Sequence, residues 1–168
     1  NGVAEGKWIS YFGKGKDITK AGFFTDGLPN GEFYFYFHPN KITSKLNFIN
    51  GLLNGPVTYF YENGQKKITI DFVNGIMNGK IQIYSKNGVL IYNLPVKDST
   101  ISAEYSGDFY NEKENVEFVI DNAYIDFTDH TNSNEGLKIE FIDLLLLNKN
   151  KPLNEENAEN FWNESTLY

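Results

Sequence analysis

Four glycines, Gly6, Gly31, Gly55 and Gly79, recur at spacings of 25, 24 and 24 residues, and this period constrains the fold more than any other feature of the chain. Repeats of that length mark architectures in which one supersecondary unit stacks on copies of itself. From the second unit on, an Asn precedes the glycine (Asn30, Asn54, Asn78). Nine residues after each stand Gly15, Asn40, Gly64 and Gly88, and Asn is the residue that best replaces Gly at positive φ. A third set, Gly27, Gly51 and Gly75, follows Asp26, Asn50 and Asn74. Asn-Gly and Asp-Gly pairs between apolar runs are the strongest short-range hairpin signal.

Between those turns the pattern alternates. One face reads Trp8/Ser10/Phe12, Phe33/Phe35/Phe37, Val57/Tyr59/Tyr61 and Ile81/Ile83/Ser85. The other carries an aromatic at one fixed place, Tyr11, Tyr36, Phe60 and Tyr84. Returning strands read Ala21/Phe23, Leu46/Phe48 and Ile70/Phe72. Each unit is therefore expected to be a strand, a tight turn, a second strand and another tight turn. Stacked units make an open antiparallel meander with equivalent side chains in ladders about 10 Å apart, two strand spacings. The composition agrees, with 14 Phe and 11 Tyr among 168 residues, types that suit a pleated, half-buried surface.

The stretch "GPVTYFYENGQKKITIDFVNGIMNG" resembles the MORN-repeat variant, whose units typically read G-x-W-x-x-Y-Y-x-N-G followed by a second N-G and a closing G. The likeness covers residues 6–94 and is strongest in the third unit, through Tyr59, Tyr61, Glu62, Asn63, Gly64, Asn74, Gly75 and Gly79. In the first unit Gly6 and Trp8 fit, while "FGKGK" replaces the "YENGQ" turn; in the fourth, Ser85 replaces an aromatic. The second unit, "FHPNKITSKLNFING", lacks the turn glycine. The resemblance implies a sheet of hairpins used as a scaffold, in a bacterial protein of the antitoxin-like kind. It brings no catalytic residue with it, because the matching positions are turn and packing residues.

Near residue 100 the organisation changes. Up to Thr100 there are 11 Lys against 7 acidic residues, and from Ile101 onward 4 Lys against 15. The period is expected to fail after "NLPVKDST", since Ala103 stands close to where the next glycine would fall. Strand-like alternation persists in "NVEFVI", "AYIDF" and "LKIEFIDLLLL". At the end, Asn154 can cap a short helix with Glu155 and Glu156 in its first turn, and Ala158, Phe161 and Trp162 on one face. The expected fold class is mainly β: tandem hairpin repeats over 1–100, then degenerate β continuation and a helical cap over 101–168. A separate small domain over 101–168 is the alternative.

The chain has no cysteine, and its positive charges are all lysine. His38 falls at a turn position, and "DFTDH" (Asp126, Asp129, His130) with Glu135 reads as a polar loop rather than a cation site. No nucleophile elbow, phosphate-cradling loop or zinc-binding helix motif occurs. Pairs such as Glu112/Glu114 and Glu155/Glu156 sit in polar surroundings with nothing to raise a pKa. The expectation is thus no enzyme, no cofactor and no metal. Nucleic acid is disfavoured, because the guanidinium that reads guanine is missing. A net charge of −7 works against an anionic membrane, unless the lysines Lys14, Lys16, Lys20, Lys41, Lys45, Lys66, Lys67 and Lys86 form a stripe.

The candidate partner-binding residues are Tyr11, Tyr36, Phe60 and Tyr84. Read structurally, the same ladder is a set of cross-strand pairs, each stabilising by ~0.2–1 kcal/mol. Read functionally, it is an exposed aromatic face for another protein. A glycan or small-ligand binder and a membrane-peripheral module stay open as alternatives. The opening "NGVAEGKW" resembles the end of one unit and the start of the next, and whether further repeats precede it stays open; cytoplasm and cell envelope both stay open as the compartment.

Overall fold

The computed structural model describes residues 2–37, 41–102, 104, 106–111, 116–121, 124–129 and 137–140. Four hairpins follow one another. Strand β1 (Gly6–Tyr11) pairs with β2 (Ile18–Thr25); after the two-residue β3 (Leu28–Pro29), β4 (Gly31–Tyr36) pairs with β5 (Ile42–Ile49). After β6 (Leu52–Leu53), β7 (Gly55–Phe60) pairs with β8 (Lys66–Val73), and β9 (Ile76–Tyr84) with β10 (Leu90–Lys97), followed by β11 (Thr100–Ile101). All eleven strands belong to one antiparallel sheet, so the expected meander is present.

A returning strand pairs twice on its far side. The start of β2 meets the next hairpin at Lys20↔Phe35 and Ala21↔Tyr34, while its end meets the short strand at Phe24↔Pro29 and Thr25↔Leu28. Between the two segments the ladder opens, and Asn30 N donates to Phe23 O at 2.9 Å. Asn54 N donates to Asn47 O in the same way one unit later. Strand β9 runs through both segments, with a register shift between Ile70 and Phe72 of its partner.

Two turn types close the hairpins, each dictated by local chemistry. At Asp26–Gly27, Asn50–Gly51 and Asn74–Gly75 both central residues have positive φ, near 50° and then 77–81°, the signature of a type I′ turn. A fourth member, Asp98–Ser99, has φ of 49° and 61°. The third turn set therefore has a fourth member just before the point where the period was expected to fail, with Ser in the glycine place. These turns stack: Gly27, Gly51, Gly75 and Ser99 donate their amides to Ala4, Pro29, Leu53 and Met77 O at 2.8–2.9 Å. Ser99 Oγ in turn accepts from Met77 N at 3.3 Å, a bond that partly offsets its strained backbone.

At the opposite end of the hairpins, Gly64 and Gly88 take positive φ, and Gly64 N donates to Tyr61 O while Tyr61 N donates to Gln65 O. This is a type I turn closed by a left-handed glycine. In the first hairpin the loop holds one residue more: Phe12 N donates to Asp17 O, and the positive φ falls at Gly13 rather than Gly15. That extra residue explains the spacing of 25. Asn40 lies outside the described residues.

The core is one face of this sheet. Phe24, Phe33, Leu46, Phe48, Val57, Ile68, Ile70, Phe72, Ile81 and Ile83 are all buried. Rings run across the units in tilted and edge-to-face contact, Trp8–Phe24 at 5.5 Å, Phe24–Phe33 at 5.4 Å and Phe33–Phe48 at 5.1 Å. Such pairs add ~0.5–1.5 kcal/mol each beyond area burial.

The later strands β12 (Gly107–Asn111), β13 (Val116–Ile120), β14 (Tyr124–Asp129) and β15 (Leu137–Glu140) pair among themselves in a second antiparallel sheet. Its Ile120, Ile125 and Ile139 join the same buried cluster as Leu94, Val96 and Ile101, and Tyr92 meets Phe109 at 5.5 Å. The helix expected after Asn154 lies outside the described residues.

Candidate functional site

Tyr11, Tyr36, Phe60 and Tyr84 occupy one equivalent position, the last residue of β1, β4, β7 and β9. Each sits at an irregularity in the ladder, opposite Ile18, Ile42, Lys66 and Leu90. Their exposure is unequal: Tyr11 is 50% exposed, whereas Tyr36, Phe60 and Tyr84 are half-buried.

The neighbouring position differs far more between units. Phe12 and Phe37 are 75% and 63% exposed, while their counterparts Tyr61 and Ser85 are 3% and 1% exposed. The cause is local. Tyr61 turns inward because its hydroxyl donates to Tyr84 O at 2.7 Å, and Lys67 Nζ lies 5.2 Å from its ring centre. A phenylalanine has no hydroxyl to anchor in that way. Large apolar side chains are exposed at the loop end of the first two hairpins, in Tyr11, Phe12, Phe37 and Ile42, and of the fourth, in Val89 and Leu90. Phe23, Ile49, Val73 and Ile76 are exposed toward the other end; among the described residues Phe12 and Phe37 are the most exposed aromatic rings. Alternation places Phe12 and Phe37 in one row with Phe33 and Phe35, which are buried; it sets the face of a residue within a strand and loses force at the strand's end.

The expected lysine stripe is divided. Lys14, Lys16, Lys41, Lys66 and Lys86 line the loop end of the hairpins. Lys20 is half-buried on the core side, 5.7 Å from the Phe35 ring centre, and burial lowers its pKa. Lys67 is buried. Lys45 sits on the outer face, paired in register with Tyr34. There it forms an ion pair with Glu32, whose carboxylate also accepts a hydrogen bond from the Tyr34 hydroxyl. Lys45 lies 5.5 Å from the Tyr34 ring centre, and Tyr34 is 6.5 Å from Tyr36.

Hydrogen bonding by Lys45, then by Tyr34, holds the Glu32 carboxyl below its ordinary value of 4.5. The hydrogen bond to Glu32 raises both Lys45 and Tyr34. A depressed carboxylate stabilises the fold above its unfolded pKa and loses that contribution as pH falls through the folded one. Lys45, being raised, contributes below its ordinary 10.5 and loses the effect as pH rises through its folded value. The cost of Glu32→Gln is therefore expected to be flat near neutrality and to vanish in acid. At this exposed site it should not exceed about 1 kcal/mol, as read from urea melts across pH.

A shallow cleft of about 310 Å³ opens between successive loops, lined by Lys41, Tyr61, Glu62, Asn63 and Lys86. Asn63 Nδ2 is engaged with Lys86 O at 2.8 Å, and the charges around the cleft are mixed. Among the described residues, no group of three or more His, Asp or Glu side chains is placed to hold a metal ion. His38 and His130 lie outside them.

Comparison with protein-family models, with curated proteins and with solved structures finds no match to this chain.

Proposed function

We propose that this chain is a non-enzymatic repeat scaffold that binds another protein through the aromatic cluster at the loop end of its first two hairpins. One observation carries the reading: Phe12 and Phe37 are exposed at a position whose counterparts Tyr61 and Ser85 are buried in the next two units. The fold can evidently bury this position, and two units leave large rings in water there. Fully burying one such ring against a partner yields roughly 1.5–3 kcal/mol. Tyr11, Ile9 and Ile42 are exposed in the same two hairpins, and large aromatic side chains of this kind are what interface centres are enriched in. The MORN-variant resemblance supports a scaffold of antitoxin-like type. Lys14, Lys16 and Lys41 beside the rings favour a membrane-peripheral module as the second reading.

The test is crosslinked capture from native lysate and envelope fractions with wild type and a Phe12→Ser/Phe37→Ser variant. A protein held by the wild type and released by the variant supports the proposal. Saltable binding of both forms to anionic vesicles, without any captured protein, would move the assignment to the second reading.

A further inference from the structure

We propose that the free edge of the first hairpin is a strand-acceptor site, built to take the returning strand of a further hairpin unit of this same kind. The repeat itself displays the complementary surface three times. At each internal junction a returning strand lies along the next unit: β2 along β3 and β4, β5 along β6 and β7, β8 along β9. The core-facing contacts keep one register, Gly22, Leu46 and Ile70 beside Phe33, Val57 and Ile81, and Phe24, Phe48 and Phe72 opposite Pro29, Leu53 and Met77.

Residues 3–10 reproduce the receiving half of that junction. Trp8 stands where Phe33, Val57 and Ile81 stand, and Ala4 where Pro29, Leu53 and Met77 stand. The inner side is occupied: Ala4 O accepts from Gly27 N at 2.9 Å, and Glu5 Oε2 accepts from Asp26 N at 2.9 Å. The outer side is not, because among the described residues β1 pairs with β2 alone and ends the sheet. Trp8 is accordingly 44% exposed, while Phe33, Val57 and Ile81 are at 0%. A core position exposed at a sheet edge is the geometry that strand addition exploits, with main-chain bonds giving affinity and alternate side chains giving register.

The occupant follows from the three internal examples. It is an extended strand of about eight residues, apolar at alternate positions, with glycine or a branched aliphatic residue beside Trp8, as Gly22, Leu46 and Ile70 stand in the internal junctions, and an aromatic opposite Ala4. A second copy of this chain fits less well: β2, β5 and β8 are already paired on both sides, and β10, whose far side meets β11 at Val96 and Lys97, carries valine rather than an aromatic at the place that would face Ala4.

The probe is a synthetic peptide of residues 65–75, QKKITIDFVNG, added to a Trp162→Phe background in which Trp8 is the only tryptophan and is excited selectively at the red edge of its absorption. The proposal predicts a saturable blue shift as Trp8 leaves water. A peptide carrying Ile70→Lys and Phe72→Lys should bind about tenfold more weakly or worse. No shift at millimolar peptide, or an equal shift with the Lys peptide, overturns the assignment. So does a concentration-dependent dimer that buries Trp8 without any peptide, which would give the edge to a second copy.

Discussion

Phe33→Ala is expected to lower the unfolding free energy by about 3–5 kcal/mol, the range for removing a fully buried aromatic ring. Phe33 is at 0% exposure and stands in the middle of a ring series, with Phe24 at 5.4 Å on one side and Phe48 at 5.1 Å on the other. Those neighbours belong to different hairpins, so the ring holds two units together rather than one. The cavity cannot collapse easily, because the strands on either side are tied by ladder hydrogen bonds at Phe33↔Leu46 and Lys20↔Phe35. Chemical denaturation of the purified variant measures the loss. A cost under about 1 kcal/mol would mean that the first hairpin is not packed on the second as described.

Gly22→Ala should be the other large effect, and for the complementary reason. Gly22 is buried in β2, opposite Trp8, and a Cβ there would run into the Phe33 ring. The ring cannot swing aside, being held between Phe24 and Phe48, so the methyl must displace packed atoms. Overpacking of this kind costs about 1–3 kcal/mol. The two substitutions are therefore coupled: in a Phe33→Ala background the added methyl enters the space the ring has left. Gly22→Ala should then cost little or become stabilising, and the double-mutant cycle should show a coupling of about 1–3 kcal/mol. Additivity within ~0.5 kcal/mol would contradict the close approach of Gly22 and Phe33.

Much of this fold was legible because its turns are written in glycine. Asn-Gly and Asp-Gly pairs at a fixed period name the type I′ turns, and alternation between them names the buried face. Where a turn uses another residue, that signal disappears. Asp98–Ser99 adopts the same left-handed pair of conformations with a Ser in second place, helped by Ser99 Oγ, and no dipeptide statistic would have singled it out. The short strands were hidden for a similar reason. Pro29, Leu53, Met77 and Ile101 form a buried row, but a proline, a leucine, a methionine and an isoleucine share size and apolarity rather than identity.

The candidate site was legible in part. Position in the repeat correctly grouped Tyr11, Tyr36, Phe60 and Tyr84, yet exposure depends on what each ring meets in three dimensions. Phe12 and Tyr61 occupy one column and differ by a single hydroxyl, and that hydroxyl reaches Tyr84 O in the neighbouring hairpin. The alternation pattern holds no information about such a contact. Lys67 shows the same limit, since a lysine in a charged turn sequence reads as solvated and is instead buried over the Tyr61 ring.

If the rings of Phe12 and Phe37 serve a partner, as proposed, and not the fold, the unfolding free energy of the isolated Phe12→Ser/Phe37→Ser variant, measured beside the wild type in urea, should show it. Substitution of side chains that are 75% and 63% exposed should leave stability within about 0.5 kcal/mol per site. Agreement with that value, alongside lost capture, is the predicted result. A loss of several kcal/mol would contradict the account and place both rings among the groups that hold the hairpins together.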